Sequence, residues 1–177
     1  MDRTKPSAEI RRETPGDYGA VYRLIKEAFA SAEHSDGNEQ DLVAALRNST
    51  AFVPELSLVA VEDGKPVGHI LFTEVRVGGS VQLALAPLSV LPAYQRRGIG
   101  TALMQRGHSI ARELGYDYSI VLGSPAYYSR AGYVPASTYG IRPPFDVPDG
   151  NFMALRLRDG ADSLAGAVQY DKAFGLG

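Results

Sequence analysis

The run Val90-Leu91-Pro92-Ala93-Tyr94-Gln95-Arg96-Arg97-Gly98-Ile99-Gly100-Thr101-Ala102-Leu103-Met104 decides how the rest of the chain reads. An apolar, strand-like run ends at Pro92. A basic, glycine-bearing turn follows, and an amphipathic helix starts almost at once. That order suits an anion, because glycines let the backbone approach closely and free N–H groups at a helix N-terminus point at phosphate. Arg96 and Arg97 add charge-assisted donors. No Gly-Lys-Ser/Thr closes the turn, so it is not a Walker A loop. Leu103 stands where the third glycine of G-x-G-x-x-G would be. What remains is Gln-x-x-Gly-x-Gly from Gln95 to Gly100, with a plain turn-to-helix junction as the alternative.

Composition sets the frame. A chain of 177 residues with 45% hydrophobic and 21% charged residues suits one globular domain over residues 1–177. A formal charge of -2 makes no global electrostatic case for nucleic acid. The absence of cysteine excludes disulfides, a thiol nucleophile and Cys-ligated zinc. His34, His69 and His108 are scattered without metal spacing, so no metal is expected. No apolar run is long enough to span a membrane, and residues 1–7 are polar, so a cytoplasmic location without membrane partners is the expectation.

Taken in order, residues 9–13 read as a first strand. Thr14-Pro15-Gly16-Asp17 reads as a helix start, with Thr14 as cap, Pro15 at the first helical position and Asp17 completing a capping box. Val21, Leu24, Ile25, Ala28 and Phe29 then share one face at helical spacing. A polar loop over residues 31–38 leads to a second helix with Leu42, Val43 and Leu46 inward. Strand-like runs follow over residues 56–61, 67–77 and 81–90, punctuated by Asp63-Gly64 and Gly78-Gly79. Pro87 lies inside the third run and cannot donate to a ladder, which leaves backbone groups of Leu88, Ser89 and Val90 available to another partner.

The helix opened by Ile99 carries Ala102, Leu103, Ile110, Ala111 and Leu114 on one face and stops at Gly115. Residues 118–122 form a strand. Ser124 caps a short helix over residues 126–131 that Gly132 ends, and Tyr133-Val134 starts a strand interrupted by Pro135. Residues 137–149 read as a proline-rich loop, 152–157 as a strand and 167–170 as a short last one. The order predicts a mixed α/β domain with a partly antiparallel sheet, not a doubly wound alternation.

Gln95-x-x-Gly98-x-Gly100 resembles the coenzyme A pyrophosphate loop of the GNAT superfamily of N-acyltransferases. The segment Val121-Leu122-Gly123-Ser124-Pro125-Ala126-Tyr127-Tyr128-Ser129-Arg130-Ala131-Gly132-Tyr133 resembles the part of that family where a tyrosine precedes Gly-Phe or Gly-Tyr by three residues. Gly68-His69-Ile70-Leu71-Phe72, Leu85-Ala86-Pro87-Leu88-Ser89-Val90-Leu91-Pro92 and Pro143-Pro144-Phe145 narrow the likeness to the YhbS-like branch of predicted N-acetyltransferases. The likeness covers roughly the whole chain. It implies the GNAT fold, a central mixed and largely antiparallel sheet flanked by helices. Ser124 and Ala131 depart from that branch, which commonly has Asp and Phe there, and so leave the substrate open.

The resemblance implies acetyl transfer from acetyl-CoA to a primary amine of a small molecule or protein, by direct attack in a ternary complex and without a metal. Gln95, Arg96, Arg97, Gly98, Ile99, Gly100 and Thr101 would hold the pyrophosphate. Leu88, Ser89 and Val90 would pair through the backbone with the pantetheine arm, as an added strand does, and one of their N–H groups would polarise the thioester carbonyl. Tyr128 is the candidate general acid, a phenol that donates to the departing thiolate. The strand run Leu83-Ala84-Leu85-Ala86 lacks the carboxylate that many relatives use as base. Glu74 and Glu39 are the carboxylate candidates, His34 and His69 the imidazole ones, and for each of the four a structural or solvated role is the plainer reading. Arg130 reads as a surface or phosphate-facing charge, while Arg47 and Arg142 show no role. Dimers are frequent among relatives. The alternative function is a non-catalytic acyl-CoA sensor; nucleotide binding lacks an accompanying acidic Mg²⁺ motif.

Overall fold

β1 (Glu9–Arg12) is followed by α1 (Tyr18–Phe29), α2 (Glu39–Arg47) and a three-stranded meander of β2 (Phe52–Glu62), β3 (Lys65–Val77) and β4 (Ser80–Val90). Then come α3 (Ile99–Glu113), β5 (Tyr118–Leu122), α4 (Pro125–Tyr128), β6 (Val134–Pro135), β7 (Ile141–Arg142), β8 (Phe152–Arg156) and β9 (Gly166–Gln169). The computed structural model describes residues 8–30 and 37–175. The polar N-terminal run over residues 1–7, His34 and most of the loop expected over 31–38 lie outside those residues.

The strands form one sheet in the order β1-β2-β3-β4-β5-β8-β6, with β9 pairing β3 and β7 off that path. All pairings are antiparallel except β4 with β5 and β7 with β9. The mixed, partly antiparallel sheet expected from the order of elements is therefore observed, and it is largely antiparallel, as the resemblance implies. Local signals set its corners. The Thr14 N–H and hydroxyl both donate to Asp17 Oδ2, at 2.8 and 3.0 Å, which closes the expected capping box. Asp63 and Gly64 take positive φ at the β2–β3 turn.

β2 begins earlier than its apolar run suggests. Its register with β3 shifts between Phe52 and Ser57, and Pro54, with no N–H to give, falls inside that irregularity. The loop expected over 137–149 contains the short β7, a pairing too brief for sequence periodicity to reveal.

α3 packs on one face of the sheet and α1 and α2 on the other. Parity along β3 shows the division. A Cβ on Gly68 would sit 3.1 Å from Ile99 and Leu103 of α3, and Phe72 fills the space where a Cβ on Gly107 would stand, so even positions face α3. His69 joins a hydrogen-bonded cluster that includes Arg47 of α2, so odd positions face the other helices. The glycine at 107 is what lets α3 lie this close to the strand.

The decisive feature is the fate of β4. Leu83 and Ala84 pair with Ser119 and Ile120 of β5, and no later residue of β4 does. Leu88, Ser89 and Val90 pair with Ile70, His69 and Gly68 of β3, after a register shift between the Leu85 and Leu88 pairs that contains Pro87. Among the described residues, the last residues of β4 thus have β3 along one edge and no strand along the other.

Candidate functional site: a cleft at the open edge of β4

Sequence order brings the strand, turn and helix of the cleft together, and the fold adds Tyr127, Tyr128 and Arg130 from beyond β5. β4 ends at Val90 and a turn through Pro92–Tyr94 reverses the chain. Gly98 caps α3 with φ of 82°, a left-handed conformation that costs a glycine little and lets α3 start pointing back at the open edge. Leu88, Val90, Tyr94, Gln95, Arg96, Gly98, Ile99, Gly100, Thr101, Tyr127, Tyr128 and Arg130 surround a cleft of about 580 Å³. Two arginines and no carboxylate line it, and the N–H groups of the first turn of α3 add positive potential. This is a fit for an extended anion with an amide-bearing arm, such as coenzyme A.

Most of the expected cofactor residues meet in the cleft; Ser89 and Arg97 do not line it. Ser89 alternates with Leu88 and Val90, so its side chain turns to the opposite sheet face, where it is buried. The Arg97 guanidinium stacks over Tyr94, 5.2 Å from the ring centroid, and reaches to 3.9 Å from Glu62. Gln95 Nε2 donates to the Val90 carbonyl at 3.1 Å, so in this structure it pins the turn to the end of β4. Arg96 takes a positive φ of 65° and lines the cleft, as does Arg130.

The two neighbouring tyrosines of α4 divide the cleft wall. The Tyr127 hydroxyl sits over Gly100, 2.6 Å from where a Cβ would stand, so glycine there leaves room for the phenol at the helix N-terminus. Tyr128 points deeper. Its ring packs against Gly123 and lies edge-on to Tyr133 at 5.6 Å. Burial, with a smaller contribution from Tyr127, pushes its phenol above the ordinary range, so it keeps its proton. Among the described residues, no group hydrogen-bonds the Tyr128 hydroxyl.

Behind it, Tyr133 is held by His108 Nε2 at 2.9 Å and Ser119 Oγ at 2.7 Å. His108 is neutral, burial having lowered its pKa to about 4 with Arg112 adding to the effect. This buried trio joins α3, β5 and the entry to β6, and stiffens the wall that carries Tyr128. Its separations of 25 and 14 residues give no motif in sequence.

Neither candidate carboxylate base lies in this cleft. Glu74 accepts a 2.5 Å hydrogen bond from the Tyr116 hydroxyl and lines a separate pocket with Arg76, Tyr170 and Asp171. Glu39 opens α2. His69 is fully buried on β3, and Arg47, without a role in sequence, forms an ion pair beside it. Phe145 of the proline-rich loop packs on Phe152 and Tyr170.

A splayed sheet with its open strand edge facing a glycine-capped helix places this protein in a recognised class, and comparison with known proteins agrees. The chain belongs to the acetyltransferase (GNAT) family, whose profile matches residues 19–133. The uncharacterized N-acetyltransferase YhbS of Escherichia coli K12 is 32% identical over 169 residues, covering 93% of this chain and 97% of YhbS. The uncharacterized N-acetyltransferase YjhQ of the same strain is 40% identical over 116 residues, and the match spans 63% of this chain and 64% of YjhQ. The crystal structure of Escherichia coli YhbS in complex with CoA superposes with a TM-score of 0.87 at 31% identity, covering 97% of this chain and 95% of that one. A GNAT family acetyltransferase from Brucella melitensis in complex with acetyl-CoA gives 0.78 at 34% identity, covering 94% and 97%.

Proposed function

We propose that residues 1–177 form a single acetyltransferase domain that moves an acetyl group from acetyl-CoA to a primary amine of a small molecule or protein. The observation that carries this reading is the convergence of three things on one cleft: the unpaired edge of Leu88–Val90, the N-terminus of α3 and the Tyr128 hydroxyl. The CoA and acetyl-CoA complexes of the two similar structures support the same ligand class.

Bound acetyl-CoA supplies the thioester. The first-turn N–H groups of α3 with Arg96 and Arg130 hold the pyrophosphate. The open edge of β4 takes the pantetheine arm as a neighbouring strand would, and one of its N–H groups faces the acyl oxygen. Tyr128 Oη holds a proton for the departing sulfur. Without cysteine the chain has no thiol to carry the acetyl group, in line with direct attack by the amine.

Calorimetric titration of acetyl-CoA tests the site. Wild type is expected to bind, and Arg96→Ala with Arg130→Ala to weaken binding by about tenfold or more, since each charge-assisted contact is worth roughly 1.5–3 kcal/mol before solvent screening. Absence of binding by wild type overturns the reading.

A further inference from the structure

Tyr127 lines the cleft, yet the acetyl-transfer chemistry above gives its hydroxyl no part. The residue is 40% exposed, so its phenol stands in the cleft wall within reach of a ligand. Among the described residues its hydroxyl has no hydrogen-bond partner. Partial burial raises its pKa above the ordinary tyrosine value, so at neutral pH it holds its proton and can donate.

That hydroxyl also accounts for a glycine. A Cβ on Gly100 would stand 2.6 Å from the Tyr127 hydroxyl oxygen, but 3.8 Å from Leu88 Cδ2 and 3.9 Å from Tyr127 Cζ. The last two are ordinary contacts, so one oxygen atom is all that a small side chain would strike. Gly100 lies inside α3, where no positive φ calls for glycine and alanine is the better helix former. What the missing side chain admits is the phenol oxygen.

The oxygen hangs over free donors. The first intrahelical bond of α3 runs from the Ala102 N–H to the Gly98 carbonyl at 3.0 Å, and no side chain caps the helix, so the N–H groups of Ile99, Gly100 and Thr101 have no helical acceptor. Tyr127 comes to them from a different element, α4, which also carries Tyr128. The two rings meet edge-on with centroids 5.0 Å apart. Tyr128 meets Tyr133 as well, at 5.6 Å. Of the two aromatic rings against Tyr128, Tyr133 is fixed by His108 and Ser119, whereas the Tyr127 hydroxyl is held by nothing.

We propose that the Tyr127 hydroxyl donates to the diphosphate of the acyl donor across the N-terminus of α3, and so steadies Tyr128 as the donor binds. This rests on the transferase reading above. A phosphate oxygen seated on the first turn of α3 takes a further donor from α4. The ligand then ties the two helices together and orders the second ring against Tyr128. Binding free energy from a part of the donor that does not react is thereby used beside the reacting sulfur. Tyr127 is a binding residue toward the diphosphate and a positioning residue toward Tyr128; it takes part in no covalent step.

Tyr127→Phe keeps the ring and removes only a hydroxyl with no protein partner to lose, so Tm is expected to hold. Three acetyl donors are the probes: acetyl-CoA, dephospho-acetyl-CoA, which lacks only the ribose phosphate, and S-acetyl-pantetheine, which lacks the diphosphate. In Tyr127→Phe the preference for acetyl-CoA over S-acetyl-pantetheine, as a ratio of kcat/KM, is expected to fall about tenfold. The preference over dephospho-acetyl-CoA is expected to stay. A ring that merely packs on Tyr128 would lower all three donors alike and leave both ratios unchanged. Gly100→Ala displaces the same oxygen, so the double variant should bind acetyl-CoA no more weakly than the weaker-binding single one. In an active enzyme, an unchanged acetyl-pantetheine ratio, a fall in the dephospho ratio, or single losses that add in full overturn the role of Tyr127 and leave the transferase standing. A wild type that acetylates no amine in a mixed panel overturns the transferase, and this role with it.

Discussion

Toward α3, the open end of β4 meets a cleft lined by the first-turn N–H groups of α3, by Arg96 and Arg130, and by the hydroxyls of Tyr127 and Tyr128, which have no hydrogen-bond partner among the described residues. Toward α1 and α2, the same three residues back onto a sealed cluster in which Glu13, Arg47, Ser57 and His69 bind one another. The difference is one of solvent. On the wet side a charge needs no partner. On the dry side each charge must be answered at once, because an unpaired ion away from water is far more costly than any surface contact is worth. A cleft side chain can therefore be removed with little effect on folding, whereas one member of the sealed cluster cannot.

Acid is expected to break this contrast most strongly, because each face hides a neutral imidazole. His69 and His108 titrate near 4 in the fold, against about 6.5 when unfolded. Between those values the unfolded chain binds the protons first. Stability is therefore full above pH 6.5 and falls toward pH 4, with a combined loss on the order of 5 kcal/mol. Urea unfolding at stepped pH measures it, and a flat profile would mean that neither ring is buried neutral.

Removing one member of the sealed cluster comes next. Arg47→Met strands the Glu13 carboxylate and is expected to cost about 3–5 kcal/mol in chemical denaturation. Arg47→Met with Glu13→Leu should recover much of that loss. On the wet side the expectation reverses. Tyr128→Phe should lower kcat by about 10²-fold and leave Tm unchanged, since its hydroxyl holds no hydrogen bond among the described residues. A Tm loss in Tyr128→Phe comparable to that of Arg47→Met would erase the distinction between the two faces.

The cleft was more legible in sequence than the cluster. Gly98, Gly100, Thr101 and the turn before them lie within one short stretch, and their geometry follows from glycine and proline chemistry at adjacent positions. Tyr128, which the resemblance singled out by its spacing from Gly132, lines the same cleft. Arg97 belongs to the same stretch, yet the attraction of Glu62 and the face of Tyr94 draw it off the cleft. Ser89 also reads differently in three dimensions, since alternation along a strand sends its side chain away from the edge its backbone lines. The contact of β9 with β3 joins Gln169 to Arg76, across a separation that no local pattern spans.

What the sequence by itself determined is the order of elements and the glycine-bearing turn that opens α3, because dihedral preferences, caps and hydrophobic periodicity act between near neighbours in the chain; the family was legible through the resemblance of its motifs. The splay of β4 from β5 was foreshadowed by Pro87, but which edge opened depended on the register of three strands. Only the tertiary structure decided that Glu13 and Arg47 meet across 34 residues, that Ser57 binds Glu13 across 44, and that His69 lies opposite Ser89. Pairing in a sheet has a period of two, so a slip of one residue would turn His69 and Ser89 to different faces. The register, set by the packing of whole elements, is what places the two residues opposite each other on one face.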